Sequence, residues 1–525
     1  MPRGPHRKGD RIRDTARRQL ARWRLRSYRP PTRQAPGDSL DVDSRTPRRP
    51  PVTVGSPVPF LLAGELRHGD ATWTIRSPHD GAVVGRAAVA TRADVEAALD
   101  AAVRTAPEAA AMPSHARAAV LERIADALQL RREEVARLLA SEAGKPVTAA
   151  RLELDRAIFV FRQGAEEATR IGGEVIPTDL MPHGEHRLAI TRRFPLAPIS
   201  AITPFNFPVL LAAHKLAPMI ACGATMVLKP PPQDPLSTLL LAEIIAGAGY
   251  PAGALSVLPS TNEDAAPLLD DPRIRLISFT GSARVGWMIR ARAPMTRVVL
   301  ELGGNAAVIV ERDADIAHAV RRCVVGGYSY AGQSCISTQR ILVHDDVHDA
   351  FVSAFTDAVA ALRCGDPLDE ATDVGPMIDE ASAVRAEAWV ADAVAAGARL
   401  AVGGTRTGAL MRPTVLLDTT SAMQVNCAEI FAPVTTVRRF EDFDAALDIA
   451  NDSPYGLQAG LFTNDIHRIL RAFERLEVGG VVVNDISGFR VDHLPYGGVK
   501  QSGTGREGVR YAIEEMTEKR LLILG

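Results

Sequence analysis

The sequence predicts an α/β fold with two α/β domains, the first built on a parallel, doubly wound sheet. Three observations lead there. From Ile199 onward, short β-branched runs alternate with helix-length apolar stretches, the pattern of βαβ units. A second set begins at Ala306-Ala307-Val308-Ile309-Val310. The chain of 525 residues also exceeds what one hydrophobic core organises, so two or three domains are expected.

Composition narrows the class of function. A 46% hydrophobic, 23% charged chain is ordinary for a soluble globular protein, and a formal net charge of −1 provides no field for nucleic acid or an anionic membrane. Neither partner is expected. The most apolar stretch, Val209 to Leu228, is broken by His214, Lys215 and Pro218, so no segment is expected to span a bilayer. Five cysteines (Cys222, Cys323, Cys335, Cys364 and Cys427) form no CxxC pair, which argues against a disulfide framework and a structural metal site. A reducing, cytoplasmic setting follows.

Taken in order, residues 1–55 are crowded with Arg and Pro and nearly free of apolar periodicity, which reads as a basic, solvated tail. Arg11 to Ser27 could alternatively form a basic amphipathic helix of the transit-peptide or surface-binding kind. Thr91 and Asp94 then form a capping-box start for a helix with Val95, Ala98, Leu99 and Ala102 on one face. A second helix buries Val120, Ile124 and Leu128, and a third runs from about Arg132 to Ala143, stopped by Gly144 with Pro146 beyond. Strands are expected at Ile199 to Thr203, Thr225 to Lys229, Ala254 to Leu258, Arg275 to Phe279 and Arg297 to Leu302. Helices over Leu210 to Ile220 and Leu236 to Ala246 separate the first three.

Two residues carry the chemistry. Glu301 opens Glu301-Leu302-Gly303-Gly304-Asn305, and Cys335, 34 residues later, sits in Gly332-Gln333-Ser334-Cys335-Ile336-Ser337. A carboxylate that can activate water and a thiol that can be acylated are the two halves of covalent hydrolysis. The loop around Cys335 suits the accessible, electropositive surroundings that a thiolate needs. The other four cysteines, in apolar or unremarkable surroundings, read as inert. Upstream stand Pro204-Phe205-Asn206-Phe207-Pro208, then Val227-Leu228-Lys229-Pro230, then Phe279-Thr280-Gly281-Ser282. Gly281 to Gly286, after a strand and before a helix, is where backbone amides can meet a pyrophosphate.

From about residue 56 to the C-terminus these motifs resemble the aldehyde dehydrogenase superfamily. The resemblance implies a Rossmann-type cofactor domain from 56–176 and 197–302, a catalytic domain over 303–480, and a return segment at 481–511. It also implies a β-strand oligomerisation arm from 177–196 and 512–525, and hence a homodimer or homotetramer. Cys335 is implied as nucleophile, Asn206 as the side-chain donor to the oxyanion, and Glu301 as the base that hydrolyses the thioester. Expulsion of hydride requires a nicotinamide cofactor, because no protein group accepts it. Its binding is implied for Thr203, Pro204, Phe205, Lys229, Gly281, Ser282, Gly286, Leu302, Glu429 and Phe431. Ala432 replaces the usual Gly beside Phe431. Pro232 stands where NAD-preferring relatives often carry a glutamate, so NAD is the expected cofactor with NADP left open.

The substrate side is implied to include Phe207, Arg156 and Arg490. Arg490, in Phe489-Arg490-Val491-Asp492-His493-Leu494-Pro495-Tyr496-Gly497-Gly498, occupies a position where relatives handling apolar aldehydes carry an aromatic. Two arginines could clamp an anion, although in a chain with 55 arginines either could instead be salt-bridged. The pattern looks closest to lactaldehyde, phosphonoacetaldehyde, sulfoacetaldehyde and non-phosphorylating glyceraldehyde-3-phosphate dehydrogenases. The expected reaction is oxidation of a small polar or anionic aldehyde to its acid. Two alternatives are acyl transfer to coenzyme A, disfavoured by the presence of Glu301, and an inactive relative with a structural or cofactor-binding role, disfavoured by intact Cys335, Asn206 and Glu301.

Overall fold

The computed structural model describes residues 56–525. The basic tail and its candidate helix lie outside the described residues.

Five parallel strands form the centre of an eight-stranded sheet, in the order Leu255–Val257, Met226–Lys229, Ile199–Ile202, Leu276–Thr280 and Arg297–Glu301. Antiparallel strands at Phe60–Leu62, Glu65–Arg67 and Gly503–Thr504 extend its edges. From Ile199–Ile202 the chain winds outward to one side, then returns to Leu276–Thr280 on the other. That reversal is a topological switch point, where the carboxyl ends of neighbouring strands diverge and leave a crevice. Each central strand lies within one or two residues of the range expected from the sequence.

Local chemistry explains the punctuation. Thr91 and Asp94 complete the capping box of helix Arg92–Ala111, and Gly144, at φ 69°, ends helix Arg132–Ala143 in a left-handed cap. Pro146 does more than close that helix, since it also leads into Val147–Ala168. Helix Pro208–Cys222 is buried at every position, with Pro208 supplying a first helical residue that needs no amide partner. Its length and burial follow from lying between a sheet and other helices.

A seven-stranded sheet follows, in the order Arg399–Val402, Thr414–Leu417, Val434–Phe440, Thr338–His344, Ala306–Val310, Gln458–Phe462 and Gly480–Val483. All pairs are parallel except the first. The two sheets are joined by only four residues, Leu302 to Asn305. A third sheet pairs Thr517–Leu524 antiparallel with Leu188–Pro195 over eight positions, and Val175–Ile176 adds its far edge. Leu521 to Leu524 are about half exposed on the outer strand. Among the described residues no helix is long and apolar enough to cross a membrane, and no group of three or more His, Cys, Asp or Glu side chains is arranged to hold a metal ion.

One buried ion pair knits the helices around the crevice. Lys145 Nζ bonds Glu153, both side chains being wholly buried, and the other Glu153 oxygen accepts the amides of Val209 and Leu210 at 3.1 Å each. Glu142 caps helix Pro235–Ala246 in the same way, through Leu236 and Ser237. Removing one member of such a pair strands the other charge, so Lys145→Met is expected to lower stability by about 3–5 kcal/mol. A urea titration followed by fluorescence measures the loss, and an unchanged midpoint would show the pair to be dispensable.

Candidate active site

Between the two sheets lies a cavity of about 910 Å³. Strand ends deliver its reactive groups. Glu301 is the last residue of strand Arg297–Glu301, and Asn206 lies in the short loop between strand Ile199–Ile202 and helix Pro208–Cys222. Cys335 arrives differently. Helix Ile316–Tyr328 ends, and then Tyr330, Ala331 and Gly332 take left-handed φ values of 49°, 52° and 68°, turning the chain into the cysteine loop. Two non-glycine residues in that region carry strain, which the buried Tyr330 offsets by bonding Ala143 O at 2.9 Å.

The three expected catalytic residues face the same cavity. The Asn206 backbone carbonyl accepts from Lys145 Nζ at 2.7 Å, and its side-chain Nδ2 donates to Gln333 O, two residues before Cys335, at 3.0 Å. Gln333 is fully buried, and its Oε1 accepts the Ile378 amide. Glu301 is buried, and neither of its carboxylate oxygens has a hydrogen-bond partner. Among the described residues it is therefore in no ion pair. Burial, and then the neighbouring Glu507, push its carboxyl well above the usual range, with Arg490 and Lys215 opposing.

The glycines after Glu301 serve close approach. A Cβ on Gly303 would sit 2.0 Å from Glu429 Oε2, and one on Gly304 would sit 2.3 Å from the Cys335 carbonyl oxygen. Gly304 N also donates to Glu429 Oε1 at 2.8 Å. Any side chain here would push the nucleophile loop and Glu429 away from Glu301.

Cys335 departs from expectation. Its sulfur is half-buried and opens onto the cavity, but burial pushes the thiol up to about 11, and no lysine, arginine or histidine bonds it among the described residues. The electropositive loop expected from sequence is an uncharged one. Its partner is the hydroxyl of Tyr496, 2.9 Å from Sγ. Of the other cysteines, Cys222 and Cys323 are buried with raised thiols, the former to about 12, whereas Cys427 is exposed, contrary to the expectation of inert surroundings for all four.

Both arginines of the expected clamp reach the cavity wall, and both are already engaged by carboxylates. Arg156 forms a bidentate pair with Asp492 at 2.8 and 2.7 Å. Arg490 bonds Glu507 at 2.9 Å, approaches His214 Nε2 at 3.2 Å, and keeps its Nε without a hydrogen-bond acceptor. Burial opposes ionisation of Glu507, yet Arg490, His214 and Lys215 together hold it below the usual carboxylate range. Asp492 is likewise opposed by burial and held low by Arg156 and His214. Spacing in the sequence could not have revealed the parts of Tyr496, Asp492, Lys215 or His214, since Cys335, Arg156, Ser278 and Asp492, which they bond, lie 63 to 336 residues away.

Of the residues expected to bind a nicotinamide cofactor, seven form the other end of the wall, while Thr203, Lys229 and Gly286 do not line it. Pro204, Phe205, Gly281, Ser282, Leu302, Glu429 and Phe431 line it, with the rings of Phe205 and Phe431 meeting edge-on at 5.9 Å. Ser282 precedes helix Ala283–Arg292 and makes no side-chain cap, so the first amides of that helix are open to an anion. Thr203 and Lys229 stand at the carboxyl ends of adjacent strands, joined by Thr203 N to Lys229 O at 3.2 Å. The Thr203 hydroxyl is buried without a partner, and Lys229 has none either, its ammonium pushed down to about 8 by burial. These unpaired groups fit ribose hydroxyls or phosphate. Gly286 is different: a Cβ there would meet Leu302 at 2.4 Å, so its part is helix packing one turn inside rather than amide donation. Burial raises Glu429 to about 7.

Comparison with known proteins agrees with this geometry. The aldehyde dehydrogenase family model matches residues 67–522. A 3-sulfolactaldehyde dehydrogenase of Priestia aryabhattai is 44% identical over 437 residues, covering 83% of this chain and 91% of that protein. The crystal structure of aldehyde dehydrogenase 21 from Physcomitrella patens, bound to its product succinate, superposes with a TM-score of 0.88 at 42% identity, covering 89% of this chain and 98% of the other. The glyceraldehyde-3-phosphate dehydrogenase GapN of Methanocaldococcus jannaschii, crystallised with NADP, gives 0.83 at 39% identity, covering 86% and 98%.

If Lys229 awaits a ribose or phosphate, Lys229→Ala should raise the KM for cofactor about tenfold or more, the worth of a charge-assisted hydrogen bond, while kcat stays within about twofold. Initial rates at varied cofactor concentration test this, and an unaltered KM would remove Lys229 from the site.

Proposed function

The chain belongs to the aldehyde dehydrogenase family, and from that premise we propose that it oxidises a small polar, preferentially anionic aldehyde to its carboxylic acid with NAD(P). The observation that carries the hydrolytic part is Glu301: a buried carboxyl with both oxygens unpaired, on the wall that also holds Cys335 and Asn206.

In this mechanism the ionised Cys335 sulfur attacks the aldehyde carbon, and the carbonyl electron pair moves onto oxygen. The Asn206 amide, fixed in advance by Lys145 and Gln333, receives that oxyanion together with a backbone N–H. When bound, the nicotinamide supplies the hydride acceptor, held by the residues around Phe205, Ser282, Lys229, Glu429 and Phe431. Glu301 then takes a proton from water as the water oxygen attacks the thioester carbon. The acid leaves and the sulfur is regenerated.

Two features support an anionic substrate. The guanidinium groups of Arg156 and Arg490 both line the cavity wall, held there by Asp492 and Glu507. The Priestia relative, moreover, is named for a sulfonated aldehyde. Both cofactors are within reach of this reading: Pro232 is exposed and carries no charge to repel a 2′-phosphate, and Lys229 has no acid to satisfy it. The outer edge of strand Thr517–Leu524, unpaired among the described residues and apolar from Leu521 to Leu524, supports self-association into a homodimer or homotetramer. Free cysteines throughout suit a reducing, cytoplasmic setting.

Glu301→Gln is expected to give a stoichiometric burst of reduced cofactor with steady-state turnover lowered at least about 100-fold, consistent with loss of a general base. Stopped-flow absorbance at 340 nm distinguishes this from an unchanged steady state, which would unseat Glu301. For wild type, kcat/KM for sulfonated or carboxylated three-carbon aldehydes should exceed that for propanal at least about tenfold with either cofactor. Equal values would remove the anion preference.

A further inference from the structure

Resting on the reading of Cys335 as nucleophile, we propose that Tyr496 is a catalytic residue whose hydroxyl donates to the Cys335 sulfur as it ionises and so favours the attacking thiolate, and that Arg490, stacked on the Tyr496 ring, is the positioning residue that strengthens this donation.

Either atom can donate while the thiol keeps its proton, but to an ionised sulfur only Tyr496 can. Tyr496 is buried, its oxygen lies 2.9 Å from Cys335 Sγ, and burial holds its own proton well above the usual phenol range. The phenol therefore keeps its hydrogen and presents it to sulfur. Donation favours the charged form of an acceptor and leaves the neutral thiol less favoured. Among the groups opposing the burial of Cys335, the Tyr496 hydroxyl comes first and Arg490 second.

Arg490 acts through the ring. Its guanidinium carbon lies 3.8 Å from the Tyr496 ring centroid. A cation over an aromatic face draws electron density from the ring and makes the attached O–H a better donor. Glu507 at 2.9 Å and Asp492 at 3.4 Å keep the guanidinium in that place, with its side chain 9% exposed. A phenylalanine at 496 would keep the ring and the stack and lose only the donor.

In the step itself the Cys335 S–H proton passes to a cavity water, leaving a sulfur lone pair that accepts the Tyr496 hydrogen. On attack that pair becomes the S–C bond, the carbonyl π pair moves to oxygen, and Tyr496 remains protonated throughout. No oxidant enters before the later hydride transfer.

The test is the pH dependence of iodoacetamide labelling at Cys335, followed by peptide mass spectrometry in the cofactor-free enzyme. Cys335→Ala, losing turnover and that labelled peptide, verifies the nucleophile separately; retained turnover there would overturn the premise and not the hydrogen bond alone. Tyr496→Phe should move the labelling midpoint up by about one unit, the worth of one hydrogen bond to a charged group, and lower kcat/KM about tenfold at pH 8 with recovery at higher pH and little change in KM. Superimposed labelling profiles would overturn the proposal. Arg490→Leu should shift the midpoint upward in the native background but add nothing in Tyr496→Phe. Fully additive shifts would show that Arg490 acts directly on sulfur and overturn its role through the ring.

Discussion

The passage of the chain from one sheet to the other, Leu302 to Asn305, is the constraint on which the site depends. Glu301 closes the first sheet and Ala306 opens the second. Between them the backbone is buried and tied on several sides: Leu302 N to Ser502 O at 3.0 Å, Ser502 Oγ to Gly303 O at 2.7 Å, Gly304 N to Glu429, and Arg340 to Asn305 O at 3.0 and 3.1 Å. Because two glycines let the Cys335 carbonyl and the Glu429 carboxylate close in, base, nucleophile and cofactor-side carboxylate meet at one crossing. A looser connection would leave the same residues on the same strands without bringing them to one cavity.

That crossing is purchased with buried ionisable groups. Glu301 and Cys335 hold their protons more tightly folded than unfolded, because burial disfavours their charged forms. The sign follows: below the ordinary carboxylate range Glu301 is protonated in both states and costs nothing. As pH rises through that range the unfolded chain releases a proton that the fold retains, and stability falls until the folded carboxyl also ionises. Glu507 and Asp492, held low by arginines, work in the opposite sense and lose their contribution as pH falls. The site is thus a local liability set against a stabilising ring of ion pairs, the arrangement found where activity requires strained or unpaired groups.

Legibility in the sequence tracked the range of the interaction. The central strands and the capping box at Thr91 were readable because β-branched runs, caps and glycine stops act over a few residues. Cys335, Asn206 and Glu301 were readable because each sits in a contiguous motif, and the structure brings all three to one wall. The state of those groups was not readable. Whether Arg490 faces substrate or Glu507, and whether Cys335 sees a cation or a phenol, depends on contacts 17 and 161 residues apart in sequence, set by how the return segment after Ile486 folds back over the cavity. An arginine in a motif announces a charge; only tertiary packing says what neutralises it.

The same distinction explains why some parts of the site are rigid and others are left to ionise. Asn206 offers a neutral dipole, and a neutral dipole costs far less to fix in a dry cavity than a charge; Lys145 holds its backbone carbonyl and Gln333 its side-chain Nδ2. A thiolate or carboxylate in that place carries a desolvation cost that Arg490, with Lys215 for Glu301, opposes only in part, so burial pushes both groups up. Positive charge entering the cavity favours ionisation of each, while the amide needs no such change. Folding therefore organises the dipole outright, whereas the sulfur and the carboxyl depend for their ionisation on the donors and charges beside them, Tyr496 and Arg490 for Cys335, and Arg490 and Lys215 for Glu301.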